Sequence, residues 1–69
     1  MPYILVVEDD ADTRDMLAAL AHTQQLSCDT AATLAQARTL IAAHTPDLVL
    51  CDLVLPDGNG MDLFDELPK

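Results

Sequence analysis

The sequence predicts an α/β fold in which three βα units build a parallel sheet. Ile4-Leu5-Val6-Val7 and Leu48-Val49-Leu50-Cys51-Asp52-Leu53-Val54-Leu55 are short, nearly continuous apolar runs, the pattern of strands buried on both faces. Between them lie two stretches whose apolar residues recur at helical spacing. The connections are short, and strands alternating with helices favour parallel pairing with right-handed crossovers.

The first strand covers residues 3–7 and runs directly into Glu8-Asp9-Asp10. A first helix follows from Asp12 to Gln24, with Met16, Leu17, Leu20 and Ala21 on one face that should be buried. Asp10, Asp12 and Asp15 sit near its start, where the helix dipole favours negative charge. Leu26 to Ala31 reads as a shorter, more polar strand suited to a sheet edge. The second helix begins at Thr33. Thr33-Leu34-Ala35-Gln36 matches a capping box, in which hydroxyl and side-chain amide each satisfy an orphan N–H. Leu34, Ala37, Leu40 and Ile41 form its inner face, and Pro46 requires it to stop before His44. The third strand is Leu48 to Leu55. Pro56-Asp57-Gly58-Asn59-Gly60 then makes a turn, and a third helix runs from Met61 to Leu67 until Pro68 ends it.

At 69 residues the chain is short for a domain, and a core of this size is marginal without a staple or a partner. Twelve acidic residues against 3 basic ones leave a formal net charge of -9. With no basic patch to neutralise phosphates, this segment is not expected to bind nucleic acid; a cation or a basic protein surface suits it better. Asp12, Asp15, Asp29, Asp62, Asp65 and Glu66 are expected on a solvated surface. Cys28 and Cys51 fall in different strands without metal-ligand spacing, which reads as buried free thiols in a reducing compartment. His22 and His44 fall near helix ends, as exposed or dipole-complementing residues. No leader peptide and no apolar stretch of roughly 20 residues is visible, so the expected place is the cytoplasm, away from membranes.

The chemistry points to Asp52. A carboxylate within an apolar strand is costly to bury unless something pairs with it. Two buried strands that each deliver carboxylates near their C-terminal ends describe an acidic pocket. Such a pocket wants a hard cation, and a cation beside a strand-end carboxylate suggests phosphate chemistry.

Three segments carry a resemblance: Ile4-Leu5-Val6-Val7-Glu8-Asp9-Asp10, Thr45-Pro46-Asp47-Leu48-Val49-Leu50-Cys51-Asp52, and Leu55-Pro56-Asp57-Gly58-Asn59-Gly60-Met61-Asp62-Leu63. Across residues 1–69 the chain resembles the N-terminal part of a response-regulator receiver domain, the phosphoacceptor module of two-component signalling. The resemblance implies a flavodoxin-like doubly wound sheet, of which three strands in the order 2-1-3 are present. It implies that Asp52 is the phosphoacceptor, attacking a phosphohistidine on a sensor histidine kinase or phosphotransfer protein. It implies Mg²⁺ held by Glu8, Asp9, Asp52 and the backbone carbonyl of Val54, with Asp9 the more direct ligand of the acidic pair. Asp10 would sit behind them or start the helix.

The resemblance further implies a signalling module rather than an enzyme. The Thr or Ser and the Lys that the family carries on its fourth and fifth strands have no counterpart here; Lys69 does not match. The third strand would then be a long apolar edge, which dimerisation could complete as a six-stranded sheet ordered 2-1-3-3′-1′-2′. Two alternatives stand beside this reading. One is a self-associating receiver fragment without competent phospho-switching. The other is a metal-dependent phosphohydrolase, which wants a second acid two residues after its nucleophile, where this chain has Val54.

Overall fold

A computed structural model describes residues 2–66. The elements are β1 (Tyr3–Val7), α1 (Ala11–Thr23), β2 (Ser27–Ala31), α2 (Leu34–Ala43), β3 (Leu48–Cys51), β4 (Val54–Leu55), β5 (Gly58–Asn59) and α3 (Gly60–Glu66). β1 lies between β2 and β3 and pairs parallel with both, giving the expected order β2-β1-β3. Every residue of β1 is buried, as its unbroken apolar run requires.

Strand alternation divides the apolar residues between the two faces of the sheet. Leu5 and Val7 join Ala31, Leu34, Ala37, Leu55 and Leu63 in one core, with Leu40, Ile41, Val49 and Cys51 packed against it. This is the face that α2 and α3 cover. The opposite face carries Ile4 and Val6, both buried.

Several boundaries differ from the sequence expectation. The third strand ends at Cys51 instead of continuing to Leu55, so Asp52 stands at a strand end and not within it. Val54-Leu55, expected to end the third strand, pairs antiparallel with Gly58-Asn59 of the expected turn in a separate hairpin. The backbone enforces this exit. The Gly60 N–H donates to the Leu53 carbonyl at 2.8 Å, and a Cβ on Gly60 would collide with the Asp52 carbonyl oxygen. β3 is also less buried than its sequence suggests, with Leu48 54% and Leu50 40% exposed. Among the described residues nothing pairs with its free edge, and the face that bears Leu48 and Leu50 is only partly covered.

The expected inner face of α1 is only partly inner: Ala21 is buried, whereas Met16 and Leu20 are exposed. α1 and α3 each begin one residue earlier than expected. Leu67 and Pro68, expected to end α3, lie outside the described residues. Thr33 caps α2 as expected, its hydroxyl accepting the Gln36 N–H at 3.1 Å. The Gln36 side chain reaches one residue further back than the capping box predicts and accepts the Ala32 N–H at 2.8 Å. Cys28 and Cys51 are free thiols, each half-buried rather than fully buried. No helix among the described residues is long and apolar enough to cross a membrane.

Candidate functional site

The C-terminal ends of β1 and β3 lie side by side, beside the point where the strand order reverses and where open α/β sheets bind ligands. Pairing continues past both strand ends. The Glu8 N–H donates to the Ala31 carbonyl at 2.9 Å and the Asp52 N–H to the Val7 carbonyl at 3.0 Å. Those two bonds set Glu8 and Asp52 across from each other at the lip of the sheet. One carboxylate oxygen from each of Glu8, Asp9 and Asp52 lies within 4.8 Å of the others. Glu8 and Asp52 are half-buried and Asp9 is exposed. An open cleft of about 410 Å³, lined by Val7, Glu8, Leu17, Leu50, Cys51 and Asp52, leads to the cluster.

Opposing influences act on Glu8. The largest is the Asp10 N–H, which donates to its carboxylate at 3.1 Å and holds its pKa down. Desolvation, a hydrogen bond with Asp9 and the negative charges of Asp52 and Asp9 outweigh it together, so the carboxyl titrates above its ordinary range. A site whose own charges push protonation upward is one that a cation would relax.

Asp10 has a different task. Its Oδ2 accepts the Thr13 hydroxyl at 2.6 Å and the Thr13 N–H at 2.9 Å, capping α1. Those bonds, the hydroxyl's first, lower the Asp10 pKa. Asp10 therefore does not join the cluster. Val54 stands two residues beyond Asp52, its N–H 3.3 Å from Asp52 Oδ1. His22 and His44 lie elsewhere: His22 in the last turn of α1, and His44 at the C-terminal cap of α2, its ring edge-on to Tyr3 at 4.7 Å.

Two supporting residues escaped the sequence reading. Arg14 Nη1 donates to the Glu8 carbonyl at 2.9 Å, bracing the loop that carries Glu8 and Asp9. A lone cation one turn into a helix that follows an acidic cluster was the available signal. Asp57 accepts N–H bonds from Leu34 and Ala35 at the start of α2. Its turn context concealed that reach, because an Asp before Gly is explained locally.

Residues 4–69 match the family described as the response regulator receiver domain. The chain belongs to that family. Among relatives, the response regulator protein PilR of Pseudomonas aeruginosa is 39% identical over 65 residues, covering 94% of this chain and 15% of that protein. The non-phosphorylated HemR receiver domain from Leptospira biflexa superposes with a TM-score of 0.88 at 38% identity, covering 96% of this chain and 53% of that one. The MaeR response regulator bound to beryllium trifluoride superposes at 0.86 with 32% identity, covering 96% of this chain and 56% of that one. This receiver sequence thus spans about half the length of the solved receivers it matches, and less of the curated relative.

Proposed function

We propose that this receiver accepts a phosphoryl group on Asp52 from a histidine kinase or phosphotransfer protein, with Mg²⁺ held by Glu8, Asp9, Asp52 and the Val54 backbone carbonyl. The observation that carries the reading is the convergence of the three carboxylates at the ends of β1 and β3. The donor set suits the ion. Mg²⁺ takes oxygen ligands, keeps several waters and commonly uses one or two carboxylates plus substrate phosphate. Oxygens on opposite sides of Mg²⁺ lie about 4 Å apart, so carboxylates within 4.8 Å need only small side-chain adjustments. When bound, the ion neutralises charge on the incoming phosphoryl group.

The chain's own part is attack and positioning. Asp52 Oδ1 accepts the Val54 N–H, and in this reading the other oxygen, Oδ2, is the nucleophile. Oδ2 forms a bond to phosphorus as the P–N bond of the phosphohistidine breaks. The bonding pair stays on the imidazole nitrogen, and Asp52 becomes an acyl phosphate. Beryllium trifluoride on the MaeR relative supports the reading, since its chemistry imitates a phosphoryl group. The net charge of -9 favours partners with basic surfaces over nucleic acid, and we place the receiver in the cytoplasm as a signalling module rather than an enzyme.

Incubation with acetyl phosphate and Mg²⁺ tests this. Mass spectrometry is expected to find one hydroxylamine-labile phosphate, absent from Asp52→Asn. Labelling that persists in Asp52→Asn contradicts the assignment. A chain that takes no phosphate at all favours the alternative, assembly without phospho-switching.

A second reading rests on the open side of β3. Among the described residues β3 pairs with β1 alone, and two of its own side chains, Leu48 and Leu50, are exposed. A two-fold copy could pair along this edge and cover that face. Sedimentation velocity at micromolar concentration is expected to show a dimer; a strictly monomeric boundary rejects it.

A further inference from the structure

The hairpin β4–β5 is held by a contact remote in sequence. Asp57, at its turn, accepts the Leu34 N–H on Oδ1 at 2.8 Å and the Ala35 N–H on Oδ2 at 3.0 Å, across 23 and 22 positions. Those N–H groups belong to the first turn of α2, which has no intrahelical acceptors for them. Thr33 satisfies a different one, that of Gln36. Gly58 follows with φ +150°, and its backbone comes so near α2 that a Cβ there would lie 2.9 Å from Leu34 Cδ1. On the other flank, Gly60 donates to the Leu53 carbonyl. The segment from Asp52 to Gly60 is thus pinned to α2 at its tip and to itself at its base. Val54 lies within it, paired with Asn59.

We propose that Asp57 is a positioning residue for the acidic pocket: by anchoring β4–β5 on the start of α2, it fixes the Val54 backbone relative to Asp52 and favours a small, geometrically demanding cation. The inference rests on the reading of the pocket as a Mg²⁺ site. It adds that cation choice is set partly from α2, by a carboxylate that touches no ligand. Mg²⁺ demands near-ideal octahedral geometry, whereas Ca²⁺ tolerates variable distances and angles. A loosened hairpin should therefore penalise Mg²⁺ more than Ca²⁺. Loss of overall stability alone would weaken both alike.

The test is titration of the full 69-residue chain with Mg²⁺ and separately with Ca²⁺, followed by amide chemical shifts. Asp57→Ala is expected to weaken Mg²⁺ binding about 10-fold, the usual scale for residues that orient metal ligands, and Ca²⁺ binding by clearly less. Asp57→Asn keeps one accepting oxygen and should fall between. Thr33→Ala removes a cap from the same end of α2 without touching the hairpin, and should leave the Mg²⁺ to Ca²⁺ ratio unchanged. An unchanged ratio in Asp57→Ala, or an equal change in Thr33→Ala, overturns the inference while leaving the pocket reading intact. If Asp57→Ala does not fold, Asp57→Asn decides by the same ratio. A wild-type chain whose Mg²⁺ response is absent, or survives Asp9→Ala, removes the pocket reading and this inference with it.

Discussion

Near the N-terminal end of the sheet, Asp47 Oδ2 accepts the Tyr3 N–H and Asp29 Oδ2 accepts the Tyr3 hydroxyl, each at 2.8 Å. At the C-terminal end, Glu8, Asp9 and Asp52 bring oxygens within 4.8 Å of one another. Both ends are acidic, but their supply of donors differs. The first pair of carboxylates is spent on the fold, each meeting an N–H or O–H. The second group receives one backbone N–H on Glu8 and one on Asp52, too few for three neighbouring charges. Acidic residues are thus structural where donors wait for them and point to a cation where they crowd each other.

The larger effect breaks the first end. Burial first, then the hydrogen bond to Asp29 and that residue's charge, together raise the Tyr3 pKa to about 12. The folded state therefore holds the phenol proton more tightly than the unfolded chain does. This contribution is fully present below the ordinary tyrosine pKa of about 10 and is lost as pH rises toward about 12. Urea melts across that window should show stability declining in the wild type, and Tyr3→Phe should flatten the decline. An equal decline in Tyr3→Phe would place the sensitivity elsewhere.

The same comparison shows what was legible in the sequence. The acidic pocket of Glu8-Asp9-Asp10 and Asp52 could be named because apolar strands delivering carboxylates near their ends are unusual, and the family resemblance singled out Glu8, Asp9 and Asp52 within it. The Thr33 cap was legible for a similar local reason, whereas the sheet order came from the family resemblance. The exit of β3 was not legible. Leu53, Val54 and Leu55 continue the apolar run, and only the close approach of Gly60 to the Asp52 backbone shows why the strand stops at Cys51. The exposure of Met16 and Leu20 was equally hidden, since periodicity marks an apolar stripe without saying how much of it a neighbour covers. Asp57 was hidden by distance: a local turn explained the residue, and its bonds lie 22 and 23 positions away.

The smaller effect sharpens the second end and tests the central claim most directly. The melting temperature of the chain should be measured against Mg²⁺ concentration, for the wild type and for Asp9→Ala. A ligand bound only by the folded state at tenfold its Kd stabilises by about 1.4 kcal/mol. The expected result is a rise that saturates in the wild type and is absent from Asp9→Ala. No rise in the wild type, or the same rise in both, would contradict the assignment of Glu8, Asp9 and Asp52 as a metal-holding pocket.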